Sequence, residues 1–448
     1  MSCVTKLLLD TSSLLEVTNP YLIKKVHSFF RSQKDLFKDD DTISHHFSDM
    51  ASYVLKYLEF TCYETGNPMR NIKDASKFEV FSIDAIIKEI NQTGLLYDST
   101  LVKRFVFSLL AKPFVILSGL SGSGKTQLAL AFAHAVCQKP KEQICIVPVG
   151  ADWTNREPLL GYVNSLAEDS YILPESGVLQ LIMSAMEHEQ DPYFLILDEM
   201  NMSYVERYFA DFLSGMESDK PIRLWDKGEP VPKEFILPAN LFIIGTINVD
   251  ETTYMFSPKV LDRSSVIEFR VVHSEMERYL TSRQDGAITM PIAADSTKGE
   301  SFVRLAAQTL HHDAEIKDVL LSFFDELKKV GAEFGYRTVK DMNRFIALAT
   351  QYDDTQAPLT KDDILDAAIM QKLLPKLHGS MKSLKPVLTA IWSLCFAEKT
   401  DELSSVAVMP FTQQEETINN ANFPKTADKV LRMYRSALAN GFASYSEA

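Results

Sequence analysis

Cysteine is scarce and scattered. Cys3, Cys62, Cys137, Cys145 and Cys395 are odd in number and form no C-x-x-C pair, which argues against a disulfide framework or a zinc site and for a reducing compartment. Long apolar runs are missing too. No stretch of about 18 apolar residues occurs, and the nearest is interrupted by Lys112 and Pro113. The first ten residues lack a continuous apolar segment and a small-residue cleavage site, so the sequence predicts a cytoplasmic chain without membrane contact. Basic residues are in deficit: 46 Lys and Arg stand against 60 Asp and Glu, a formal net charge of −14. A protein that coats nucleic acid along its whole surface should be basic; a local basic channel formed in an oligomer is compatible with this balance. There is no internal repeat, no low-complexity tract and no clustered Asp…Glu-x-Lys pattern of a nuclease.

What is present is ordinary globular material. The 448 residues are 46% apolar and 24% charged, enough for two to three domains of roughly 100–200 residues. Residues 1–95 carry helical patterning, notably over 21–30 and 46–58, with a charged loop over 34–42. The adjacent His45 and His46 would point about 100° apart on a helix, which suits a surface or core role better than a shared metal. From residue 96 to 272, short β-rich runs (113–117, 143–149, 193–197, 241–245) alternate with helical stretches, the pattern of a parallel sheet covered on both faces. Residues 273–448 lose the strands, and helical patterns cover 302–350, 361–397 and 426–440. The expected fold is an α/β core with a parallel sheet between a helical N-terminal segment and a helical C-terminal domain.

Gly119-Leu-Ser121-Gly122-Ser123-Gly124-Lys125-Thr126 fits G-x-x-x-x-G-K-[ST] at each fixed position, with an apolar strand before it and a helical run after it. Glycines let backbone N–H groups turn toward phosphates at the positive end of a helix. Lys125 places a charge on the β/γ-phosphates, and Thr126 offers its hydroxyl to Mg²⁺. Leu195-Ile-Leu-Asp198-Glu199 supplies the other half: Asp198 at the carboxyl end of a buried strand for Mg²⁺, and Glu199 to orient and deprotonate the attacking water. Gly245-Thr-Ile-Asn248 ends the next apolar strand, where Asn248 can hold that water and the γ-phosphate. Arg263 precedes a further strand-like run and is the candidate cation for a neighbouring subunit's site, as a ring-forming ATPase requires.

Together these residues resemble the AAA+ ATPases of the helix-2-insert group, and most closely the McrB-type NTPases. The resemblance runs from about Gly94 to the end. It includes Asp152-Trp153-Thr with Leu159-Leu-Gly-Tyr162, Leu197-Asp-Glu-Met-Asn201, Val205-Glu-Arg-Tyr-Phe-Ala-Asp-Phe-Leu213, Gly245-Thr-Ile-Asn-Val-Asp-Glu-Thr-Thr253 and Phe256-Ser-Pro-Lys-Val-Leu-Asp-Arg263. It implies a helical lid after the core and a second sensor arginine contacting the γ-phosphate, at Arg337. It also implies an insert within Tyr171–Ser184 and a β-hairpin within Pro221–Pro238. Trp153 is expected to pack in the core or an interface.

Two departures from the pattern shape the expected function. The Asn248-Val-Asp250 element is one residue shorter than the Asn-Thr-Ala-Asp of McrB-type GTPases, which favours ATP over GTP. The N-terminal segment has no tryptophan and no recognisable modified-base-reading domain. The resemblance implies Mg²⁺-dependent NTP hydrolysis in a ring, a hexamer, as the motor of a restriction-like defence system. A separately encoded McrC-like nuclease is the expected partner, with DNA reached through the assembly. The alternatives are a MoxR-like remodelling ATPase and a nucleotide-gated scaffold.

Overall fold

The computed structural model describes residues 81–448, apart from 165–169, 219, 250–253, 255, 272, 282–287, 292, 311–315, 330, 332, 399 and 447–448. The helical readings over 21–30 and 46–58, the 34–42 loop, the His45-His46 pair and Asp250 lie outside the described residues.

Each apolar run read from the sequence forms a strand. Strands β1 (Phe114–Gly119), β2 (Ile144–Pro148), β5 (Tyr193–Asp198), β8 (Leu241–Asn248) and β9 (Ser265–Phe269) lie in one sheet in the order β2-β5-β8-β1-β9. All four pairings are parallel. Both faces are covered, which is why β1 and β8 are buried along their whole length. The register sets the site: Gly119 lies opposite Asn248 on one side and Phe269 on the other, while Asp198 lies opposite Pro148. The carboxyl ends of β1, β5 and β8 therefore converge.

Helices α1 (Ile83–Gln92), α2 (Ser99–Ala111), α3 (Lys125–Val136) and α4 (Val178–Glu187) belong to this α/β part. Helix α1 buries Ile83, Ile86, Ile87 and Ile90, the i, i+3, i+4, i+7 stripe of an amphipathic helix. It packs on α3. Before α4, β3 (Tyr162–Val163) pairs antiparallel with β4 (Tyr171–Ile172). The 171–184 stretch, where the resemblance implies an insert, holds β4 and most of α4, and the partner strand β3 lies upstream of it. A second hairpin, β6 (Ile222–Arg223) with β7 (Glu234–Phe235), follows helix α5 (Ala210–Ser218), inside the 221–238 stretch. Trp153 stands edge-on to Tyr208 with ring centroids 5.3 Å apart, a packing role.

The C-terminal part is helical: α6 (Ser296–Ala307), α7 (Ile316–Lys329), α8 (Tyr336–Tyr352), α9 (Lys361–Lys372), α10 (Met381–Leu394), α11 (Phe411–Asn419) and α12 (Pro424–Asn440). Strands β10 (His378–Ser380) and β11 (Phe442–Ser444) pair antiparallel beside α10 and α12. Helix α6 docks on the α/β part through Phe302, which is fully buried among Phe132, Phe194 and Phe242. Burying such a ring stabilises by about 2–3 kcal/mol.

A buried ionic clasp ties β9 to α12. Glu268 accepts from Lys429 Nζ at 2.6 Å and takes Arg432 on both oxygens, at 3.0 and 2.8 Å. Burial opposes ionisation of Glu268, but Lys429 and Arg432 outweigh it and hold its carboxyl down at about 2. Further along, Asp366 on α9 accepts from the backbone N–H groups of Lys425 and Thr426, both at 2.8 Å. A carboxylate at the positive end of α12 is the favourable arrangement for a helix dipole.

Candidate functional site

The loop between β1 and α3 turns through two left-handed glycines, Gly122 (φ +72°) and Gly124 (φ +90°), the latter at the N-terminus of α3. Side chains are excluded by close approach as well as by φ. A Cβ on Gly119 would lie 2.5 Å from the Phe269 carbonyl oxygen, and one on Gly124 would lie 2.9 Å from the Tyr97 hydroxyl. Ser121 and Gly122 form the exposed tip of the loop, and Ser123 is half-buried. Lys125 is 5% exposed; its ammonium donates to the carbonyls of Gly119 (3.0 Å) and Leu120 (2.6 Å) and lies 3.4 Å from Ser123 Oγ. The charge is thus held in the mouth of the loop.

Five side chains from three elements meet at the strand ends. Thr126 Oγ1 donates to Asp198 Oδ1 at 2.7 Å, and Thr246 Oγ1 donates to the same oxygen at 2.7 Å. The Glu199 N–H donates to Thr246 Oγ1 at 3.0 Å, and Asn248 Nδ2 donates to Glu199 Oε1 at 2.9 Å. This links the threonine in the first turn of α3, the two acids and the strand-end asparagine, the set read from the sequence. Thr246 was not in that set. Its signal was available, because residues i and i+2 of a strand share a face and Thr246 therefore faces the acids beside Asn248.

Glu199 is the one described non-glycine residue with positive φ (+53°). A left-handed conformation costs an ordinary residue roughly 1–2 kcal/mol. Here the strain lets consecutive acids diverge, Asp198 toward Thr126 and Glu199 toward Asn248. Tyr97 is another residue the motifs did not mark. Its hydroxyl donates to the Gly124 carbonyl at 2.7 Å, and its ring lies edge-on to Phe269. It fastens the segment before α2 to the loop, and burial raises its hydroxyl's pKa.

Oxygen donors suit Mg²⁺, which takes one or two carboxylates and keeps its remaining positions for water and phosphate. Thr126 and Asp198, already within one hydrogen bond of each other, fit that requirement. Among the described residues no group of three His, Cys, Asp or Glu side chains forms a dedicated metal cage.

Arg263 and Arg337 come together elsewhere. Both pair with the carboxylate of Glu217 on α5. Arg263 also donates to the carbonyls of Leu213 and Lys259, each at 2.8 Å, so its side chain is only 13% exposed, against 42% for Arg337. Burial lowers the Arg263 pKa, with the nearby Arg337 charge adding to it. The described contacts of the two arginines are with this cluster and not with Lys125, Asp198 or Glu199. Glu217 had no sequence signal.

Residues 287–442 match a family described as "Domain of unknown function (DUF8727)". The chain is 24% identical over 184 residues to the type IV methyl-directed restriction enzyme EcoKMcrB subunit of Escherichia coli (strain K12), covering 40% of this chain and 38% of that protein. The match thus spans less than two fifths of that relative's length. Among solved structures, that of a "putative ATPase" from Cytophaga hutchinsonii ATCC 33406 is similar, at 14% identity and a TM-score of 0.47, over 68% of this chain and 90% of that one.

Proposed function

From the premise of an α/β AAA+ core of the McrB type, we propose that this chain is a Mg²⁺-dependent nucleoside triphosphatase working in a ring, a hexamer. One observation carries the reading: the hydrogen-bonded chain Thr126–Asp198–Thr246–Glu199–Asn248 at the mouth of the glycine loop. Mg²⁺, when bound with the nucleotide, would offset charge on the β- and γ-phosphate oxygens. Thr126 and Asp198 would hold it. Lys125 leaves its loop carbonyls for the β/γ-phosphates. Glu199 takes the proton of the attacking water, and Asn248 keeps the Glu199 carboxylate aimed at it. The Thr246 hydroxyl fixes both acids, donating to the Asp198 carboxylate and accepting from the Glu199 backbone N–H.

Arg263 and Arg337 act in this proposal on the adjoining protomer's γ-phosphate. Their shared attachment to Glu217 and their lack of described contacts with their own loop support that assignment. The nucleotide is ATP in preference to GTP, on the shortened element after Asn248. The three-part division is proposed as 1–95, 96–272 and 273–448, although α1 and α6 both pack on the α/β core. The biological role we favour is the motor of a modification-dependent restriction system, with cleavage supplied by a separate McrC-like nuclease and DNA engaged through the assembly. The similarity to the McrB subunit supports this role. A neighbouring gene for a nuclease that raises NTP turnover would strengthen it; a neighbour encoding a von Willebrand-type adhesion-domain protein would favour remodelling of protein complexes.

The test mixes two inactive variants, Glu199→Gln and Arg263→Ala. Some interfaces in mixed rings pair an intact Glu199 with an intact Arg263, so hydrolysis should return when protomers exchange. If exchange is demonstrated and activity stays absent, or if Arg263→Ala is active alone, the trans assignment is wrong.

A further inference from the structure

Two lysines outside every recognised motif connect the segments that carry Arg263 and Arg337. Lys376 Nζ lies 2.5 Å from Asp262 Oδ1 and donates to Thr338 Oγ1 at 3.0 Å. Asp262 directly precedes Arg263, and Thr338 directly follows Arg337. Lys372 repeats the pattern from the end of α9. Its ammonium donates to the Ser264 carbonyl at 2.7 Å and to Asp341 Oδ2 at 3.0 Å. Ser264 directly follows Arg263, and Asp341 lies one helical turn beyond Arg337 on α8. Lys112 completes the junction by reaching the same Asp341 oxygen at 2.5 Å.

Such an arrangement is costly as mere glue. The Lys372 side chain is 3% exposed, and buried ion pairs often contribute no more stability than apolar side chains of similar size. What the ammonium groups do supply is directional: each bonds to a group within one residue of Arg263 and to a group within one turn of Arg337. At the far ends of the arginines, the single carboxylate of Glu217 offsets the repulsion between two guanidinium groups.

We propose that Lys372 and Lys376 are positioning residues, bracing the 262–264 turn against the first turn of α8 so that Arg263 and Arg337 reach the neighbouring γ-phosphate as one two-arginine unit. The proposal rests on the trans reading of those arginines. A reacting group displaced by an ångström can lose about 10²-fold in rate, so partial loosening of the brace should fall below that limit.

The experiment uses the full chain and the variants Lys376→Met, Thr338→Val and Lys376→Arg, alone and combined with Arg337→Ala. Single-turnover hydrolysis is read alongside KM and the nucleotide dissociation constant. Lys376→Met and Thr338→Val should each lower the hydrolysis rate about tenfold, leave nucleotide affinity near wild type, and cause little further loss once Arg337 is gone. Lys376→Arg should recover most of the rate. If the variants cost the same factor with and without Arg337, or act only through nucleotide affinity, the brace is wrong while the trans reading stands. If Arg263→Ala and Arg337→Ala both turn over at the wild-type rate, the trans reading falls and the brace falls with it. Should Lys376→Met not fold, Thr338→Val removes the same bond without deleting a charge and decides the matter.

Discussion

Around Asp198 the groups are small and fixed by strand register: two hydroxyls share one carboxylate oxygen, and an amide holds the neighbouring acid. Around Glu217 two long cations, one from the turn before β9 and one from the start of α8, meet on a third element, α5. The first arrangement needs the sheet and the start of α3. The second exists only when the C-terminal helices are docked, because Lys372 and Lys376 join its two halves. A single chain thus carries a hydrogen-bonded set proposed to hold nucleotide and Mg²⁺, and a separate charged cluster proposed to act on a neighbouring protomer.

The largest effect should come from breaking the first region. Lys125→Ala removes the cation held at the loop mouth and should abolish nucleotide binding by a protein that keeps its fold, as read by calorimetric titration and circular dichroism. Tight binding by the folded variant would sink the phosphate-loop assignment. Breaking the second region should leave binding intact. Arg263→Ala should lower kcat by about 10³-fold or more, the usual weight of an arginine supplied to a transferring phosphoryl group, with a nucleotide Kd near wild type. Loss of binding and turnover together would erase the contrast between the regions.

A smaller change sharpens the comparison inside the first region. Thr246→Val keeps side-chain shape but removes a donor to Asp198 and an acceptor for the Glu199 N–H. Loss of one positioned hydrogen-bonding group should cost about tenfold in kcat, on the order of 1–2 kcal/mol. Unchanged kcat would show that strand register alone aims the acids.

The last prediction concerns stability and not turnover: the clasp between β9 and α12. The Glu268 pKa lies at about 2, below its ordinary 4.5. Its charged-state stabilisation is therefore complete above about pH 4.5 and is lost as pH falls toward 2. Glu268→Gln should melt lower than wild type at neutral pH, and the gap between their melting temperatures should narrow on acidification through that window. A gap that stays constant down to pH 3 would mean that the Glu268 charge does not hold α12 to β9.

The two regions also differ in how far the sequence disclosed them. The sheet was legible because each strand is a near-continuous apolar run, and the loop because its glycines, Lys125 and Thr126 are consecutive. Asp198, Glu199 and Asn248 were legible because strand ends carry their polar residues at the sheet edge facing the loop. Arg337 was reached only through a family resemblance, since nothing local distinguishes it from a solvated helix residue. Glu217, Lys372 and Lys376 were invisible for a related reason: in sequence they are charges on helices, and only the docking of α8 and α9 gives them common partners. Tyr97 falls between these cases. Its hydroxyl matters because β9 closes on the loop at Gly119 while Tyr97 itself closes on Gly124, a coincidence of packing that no spacing rule announces.

The left-handed backbone at Glu199 bears on how such a protein can change over time. Glycine would occupy that conformation without strain, and asparagine more readily than glutamate. Substitution toward either would relax the turn while deleting the carboxylate proposed to activate water. Lineages freed from the need for turnover should therefore drift at this position, the relief of backbone strain being set against loss of the Asn248 hydrogen bond. On the proposed role, a glutamate that persists there would record selection acting on chemistry against the local preference of the chain.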